Sequence, residues 1–183
     1  MIESASPTRH LVLGGARSGK SRYAQTIAEA AGSPCLIATA EVRDDEMARR
    51  VQRHQQERGS SWSLIEEPLN LAQATTSALG AHDCVVIDCL TLWLTNCLEA
   101  EVWEEQRTAF LRALTQRPER DGSAAATLLI VSNEVGLGIV PLGELSRTFV
   151  DEIGFLHQDL AAMAERVTLV TAGIPQTLKS ATV

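Results

Sequence analysis

The sequence has no C-x-x-C pair, no excess of basic residues and no apolar run of transmembrane length. The four cysteines, Cys35, Cys84, Cys89 and Cys97, also lack histidines at zinc-site spacing, and most lie in apolar runs where reduced, buried thiols are expected. With 16 Lys+Arg against 23 Asp+Glu the chain carries a formal charge of −7, which excludes the dominant basic field that general nucleic-acid or anionic-membrane binding requires. The longest apolar stretch, around residues 84–98, is interrupted by Asp88. The first residues show no basic region followed by an apolar segment, so they do not read as a secretory signal, and a cytoplasmic location without membrane insertion is expected.

What remains is ordinary globular composition: 183 residues, 45% hydrophobic and 21% charged, enough for one domain with its own core. Residues 1–9 read as a short leader. Apolar strand-like runs at 10–13, 35–39, 84–88, 127–132 and 167–171 alternate with helical segments at 20–31, 44–58, 68–79, 90–117 and 142–165, and residues 62–65 suggest a further short strand. The run at 167–171 is the last strand expected. This alternation predicts an α/β fold, a single domain over 1–183 with a mostly parallel sheet flanked by helices.

Gly14-Gly15-Ala16-Arg17-Ser18-Gly19-Lys20-Ser21 satisfies G-x-x-x-x-G-K-S/T in full, after an apolar strand and before a helix. Such a loop converges backbone N–H groups on phosphate oxygens at a helix N-terminus. Lys20 is expected to reach the β- and γ-phosphates of a nucleoside triphosphate, and Ser21 to offer its hydroxyl to Mg²⁺. Asp88, which ends the apolar run Cys84-Val85-Val86-Ile87, could alone equally cap the helix that follows, but beside a nucleotide loop it is expected to be the second metal ligand. The small-GTPase element N-K-x-D is absent, and Asp151-Glu152-Ile153-Gly154, a formal D-x-x-G, falls inside an expected helix, so the sequence argues against a signalling GTPase.

On a helix over 44–58, Met47, Val51, His54 and Arg58 share a face, with Arg50 one turn before His54. A neutral imidazole among guanidiniums can attack phosphorus, although a histidine on an Arg-rich helix is more often simply solvated. Asn133-Glu134-Val135-Gly136-Leu137-Gly138-Ile139-Val140-Pro141 forms a constrained loop after a strand end, required either by packing or by substrate contact.

Three stretches, GGARSGKSRYAQ, LIATAEVRDDEMARRVQRHQQERGSSWSLIEEP and NEVGLGIVPLGELSRTF, resemble the bifunctional adenosylcobinamide kinase/adenosylcobinamide-phosphate guanylyltransferase family of cobalamin biosynthesis. The likeness runs from about Leu11 to the closing GIPQTLK at 173–179. It implies that His54, in an E-M-x-x-R-V-x-x-H pattern, becomes guanylylated. It also implies GTP or ATP contacts at Leu13 and the loop through Ser21, at Ala38, Thr39 and Ala40, at Gln55, Gln56, Glu57 and Arg58, and at Glu66 and Asp88. The implied partners are adenosylcobinamide and adenosylcobinamide phosphate, with homotrimeric assembly. Without the resemblance, Glu66 beside Glu67 would read as a surface carboxylate. The sequence departs from the family at Val150, where a polar residue is usual, and at His157-Gln158, where Asn-Gln is usual. A monofunctional small-molecule kinase and a RecA-like nucleotide-gated switch are the alternatives.

Overall fold

The computed structural model describes residues 9–40, 61–116 and 126–180. The expected helix over 44–58 therefore lies outside the described residues. The strands are β1 (Arg9–Gly14), β2 (Pro34–Ala38), β3 (Ser63–Glu66), β4 (Cys84–Asp88), β5 (Thr127–Asn133), β6 (Arg166–Thr171) and β7 (Ile174–Lys179). The described helices are α1 (Lys20–Ala30), α2 (Leu71–Ala81), α3 (Leu90–Glu99), α4 (Trp103–Thr115) and α5 (Glu144–Met163). All seven strands join one sheet in the order β3-β2-β4-β5-β1-β6-β7, parallel except for the antiparallel β6–β7 pair.

The inner strands are mostly apolar because both faces of the sheet are covered, with His10, Ser132 and Thr168 the buried polar side chains among them. Val12, Leu36, Cys84, Val86, Leu129 and Val131 face α1, where Ala24 and Ala28 allow the helix to approach closely. Their neighbours Leu11, Leu13, Cys35, Ile37, Val85, Ile87, Leu128 and Ile130 point to the other face, against α2 to α5. Trp93 is fully buried there, meeting Trp103 and Phe110 edge-on at centroid separations of 5.3 and 5.2 Å. Its indole N–H donates to the Leu69 carbonyl at 2.8 Å, so this large side chain is buried without an orphaned donor. All four cysteines are free and buried, and burial pushes the thiols of Cys84 and Cys97 up to about 12.

Two expectations are corrected. The region 90–117 is not one helix: the chain turns through Ala100–Val102, with Glu101 at φ 59°, and restarts at Trp103 with Glu104 and Glu105 in the first turn. Acidic residues there favour a new helix N-terminus, which explains the irregular pattern of that stretch. Nor does the sheet end at β6. Ala172 and Gly173, with φ of 52° and 80°, form a two-residue hairpin into β7. Positive φ at both central residues matches the twist of paired strands. The chance D-x-x-G at Asp151 does lie within α5.

Candidate active site

The parallel register gathers the chemistry at the carboxyl edge of the sheet. Ala38 at the end of β2 is level with both Glu66 of β3 and Asp88 of β4, Asp88 is level with Val131 of β5, and Gly14 of β1 is level with Asn133. β5 therefore stands between the strand that feeds the glycine-rich loop and the strand that ends in Asp88.

The loop is built by close approach. A Cβ on Gly14 would come within 2.4 Å of the Ser18 hydroxyl and 2.5 Å of the Val170 carbonyl, so no side chain fits. Gly19 has φ 94° and lies against the hairpin glycine, with its hypothetical Cβ 3.2 Å from the Gly173 Cα. The Gly173 N–H donates to the Ser18 carbonyl at 2.8 Å, which locks the loop to the β6–β7 turn. The buried Lys20 ammonium donates to the Gly15 carbonyl at 3.1 Å, bridging its own loop. The Ser18 hydroxyl is buried against Gly14 and makes no hydrogen bond among the described residues. Gly15, Ala16 and Arg17 are exposed at the rim, and Ser21 is half-buried in the first turn of α1.

Asp88 does not cap the following helix: that position belongs to Cys89, without a side-chain capping bond. Its half-buried carboxylate is left at the strand end. Thr39, expected to touch nucleotide, is fully buried and otherwise engaged. Its hydroxyl donates to the Cys89 carbonyl at 2.7 Å and accepts from the Cys89 N–H at 3.0 Å, while its own carbonyl accepts from the Asn96 amide at 2.8 Å. Thr39 therefore anchors the segment carrying Asp88. Ala38 and Ala40 are partly exposed beside it, and Glu66 is exposed at the end of β3. His54 and residues 55–58 lie outside the described residues.

The fold adds residues that were not assigned as ligands. Asn133 donates to the Thr91 hydroxyl at 2.9 Å, and the Glu134 N–H donates to the Gly14 carbonyl at 3.1 Å. The end of β5 thus ties the glycine-rich loop to the start of α3, beside Asp88. Four apolar residues at 128–131 precede the polar Ser132, Asn133 and Glu134, as four precede Asp88, so a similar signal was present here.

A phosphate cradle on one strand, a carboxylate two strands away and an intervening polar strand end define a P-loop nucleotide-binding protein. Solved structures agree on the fold. A type III secretion system ATPase of pathogenic bacteria superposes with a TM-score of 0.55 at 11% identity, over 90% of this chain and 51% of that one. Residues 10–178 match the model of the family described as cobinamide kinase / cobinamide phosphate guanyltransferase, and the chain belongs to that family. The bifunctional adenosylcobalamin biosynthesis protein CobP of Pseudomonas aeruginosa is 48% identical over 93% of this chain and 97% of its own length. The CobU proteins of Salmonella typhimurium and Escherichia coli are 38% and 35% identical, each over 92% of this chain and 98% of theirs.

Proposed function

We propose that the protein phosphorylates adenosylcobinamide with ATP or GTP, then transfers GMP from GTP to adenosylcobinamide phosphate through a guanylylated histidine, releasing adenosylcobinamide-GDP. The observation that carries this reading is the joint one: a family match over residues 10–178 together with a complete phosphate cradle. In the first reaction the backbone N–H groups of the loop and the Lys20 ammonium hold the phosphates and offset charge on the group in transfer. In the second, His54 attacks the α-phosphorus of GTP, pyrophosphate leaves, and the phosphate of adenosylcobinamide phosphate displaces the histidine. Dividing nucleotidyl transfer this way replaces one difficult step with two easier ones.

The nucleotide is assigned to residues 13–21, to 38–40, to 55–58 and to Glu66 and Asp88, with Thr39 acting through the backbone it anchors. Ser21 and Asp88 are the residues to hold Mg²⁺. One hydroxyl and one carboxylate, both hard oxygen donors, suit an ion that takes its remaining ligands from phosphate and water. When bound, the ion would supply neutralisation of phosphate charge. We also assign a homotrimeric assembly in the cytoplasm, without nucleic-acid partners. The exposed Leu137, Ile139 and Leu142 support assembly, and the net charge of −7 weighs against nucleic acid.

GTP labelled at the α-phosphate tests the central step. Wild-type protein should carry an acid-labile label and His54→Ala none. Equal labelling of both proteins removes His54 from its role, and no label on either leaves a monofunctional kinase.

A further inference from the structure

The side chains at the end of β5 form a cluster that phosphate binding does not use. Ser132, fully buried, shares a 2.7 Å hydrogen bond with His157 Nε2 of α5. His157 Nδ1 lies 3.9 Å from Glu134 Oε2, and Glu134 Oε1 accepts from the Gly136 N–H at 2.7 Å. A serine, a histidine and a carboxylate in this order suggest a hydrolytic triad, but burial excludes that: no substrate can reach the Ser132 hydroxyl. The accessible end of the cluster is Glu134, whose side chain is 24% exposed.

We propose that Glu134 accepts the proton of the substrate hydroxyl in the phosphoryl-transfer step, and that Ser132 and His157 are positioning residues that hold its carboxylate. The proposal rests on the kinase activity argued above. Placement carries it. Glu134 follows the strand lying between the phosphate loop and Asp88, and its backbone is bonded to Gly14. A γ-phosphate held between Lys20 and the Asp88 side of the site would therefore lie over the end of β5, beside the turn that Glu134 opens.

In the step, the substrate O–H bond breaks and its proton passes to Glu134. The hydroxyl oxygen forms a bond to the γ-phosphorus. The bond from that phosphorus to the β,γ-bridging oxygen breaks, its electron pair leaving with the nucleoside diphosphate. The proton then passes to solvent.

The cluster is suited to this work. Burial holds the His157 imidazole below its ordinary value, against the opposing pull of Glu134, so the ring is neutral at pH 7. The role proposed for His157 takes the tautomer in which Ser132 donates to Nε2, which puts the ring proton on Nδ1, on the side of Glu134. At 3.9 Å this exceeds hydrogen-bond length, so the Gly136 N–H holds one carboxylate oxygen and the neutral ring stands beside the other as a dipole.

The test measures γ-labelled ATP transfer to adenosylcobinamide, covalent labelling by α-labelled GTP, and thermal melting, all on the full chain. Glu134→Gln should lower kcat of phosphoryl transfer by roughly 10²–10⁴-fold, the usual contribution of a positioned base. Its KM for ATP, its GTP labelling and its melting temperature should stay at wild-type values, and Glu134→Asp should recover part of the rate. His157→Leu should lower kcat about tenfold at unchanged KM, with His157→Gln restoring most of it. A Glu134→Gln protein within threefold of wild type overturns the proposal. So does parallel loss of both reactions, which would make the loop part of nucleotide binding or of the fold. A His157→Leu protein with unchanged kcat overturns the positioning role. Wild-type protein that transfers no phosphate to adenosylcobinamide overturns the functional reading itself, and the Glu134 role with it.

Discussion

Two glycine-rich turns leave adjacent strands at the same edge of the sheet, and they are built on opposite plans. The turn after β1 is enclosed at both ends, although residues 15–17 form an exposed rim: Gly14 has no room for a methyl group, Gly19 packs on the β6–β7 hairpin, and Lys20 is buried. The turn after β5 is open. A Cβ on Gly138 would meet nothing within 4 Å, and Leu137 and Ile139 are 84% and 98% exposed. In sequence both are strand, glycines and helix. Their difference teaches that glycine serves close packing in the first turn, whereas the second is tied at its base through Ser132, Asn133 and Glu134 and at its far end by Arg147, which donates to the Pro141 and Leu142 carbonyls.

The comparison can be tested from its strongest point downward. Lys20→Ala should reduce phosphoryl transfer by at least about 100-fold, as for other groups that stabilise developing charge, measured with γ-labelled ATP. Retained turnover would show that the enclosed turn is not the phosphate site.

Acid should act next through His10, in the strand that feeds the enclosed turn. Burial first, and then the Arg166 charge, lower its pKa to about 4, and its Nε2 is 2.8 Å from the Thr168 hydroxyl. The neutral ring is favoured in the folded state, so the unfolded chain binds the extra proton. Stability is therefore full above the ordinary value of 6.5 and falls as pH drops toward 4, by about 3 kcal/mol from this group. Urea denaturation across that range should show the slope, and His10→Gln should flatten it. An unchanged slope would remove His10 as its source.

Gly14→Ala should cost about 1–3 kcal/mol through overpacking and weaken nucleotide binding, whereas Gly138→Ala should change stability by less than about 0.5 kcal/mol. Equal effects in urea titrations would erase the distinction between the turns. The smallest expected change is Ile139→Ser, within about 0.5 kcal/mol for a solvated side chain. A loss above roughly 1 kcal/mol would show that this turn is covered in solution.

The phosphate loop was legible because its demands are local: a strand end, glycines at fixed offsets, and Lys-Ser opening a helix. Asp88 was legible by its place after four apolar residues, but removing its capping role needed the structure, where Cys89 takes the cap position. The structural bonds of Thr39 were not legible at all, since its partners Cys89 and Asn96 lie 50 and 57 residues away. The β7 strand went unread because its turn, Ala172-Gly173, carries only one glycine, and its side chains are exposed along their whole length, leaving no buried alternation to find.

By itself the sequence determined the alternating strands and helices, the phosphate cradle and membership of the family. These depend on short-range stereochemistry and on apolar patterning. Tertiary structure decided which strand stands between Gly14 and Asp88, and so which polar residues share the site. Strand order depends on how the two faces of the sheet are buried, by residues far apart in the chain. The charge of −7 is an average over the whole chain, whereas the glycine-rich loop is a local arrangement in which folding brings Lys20 and the buried Ser18 hydroxyl together.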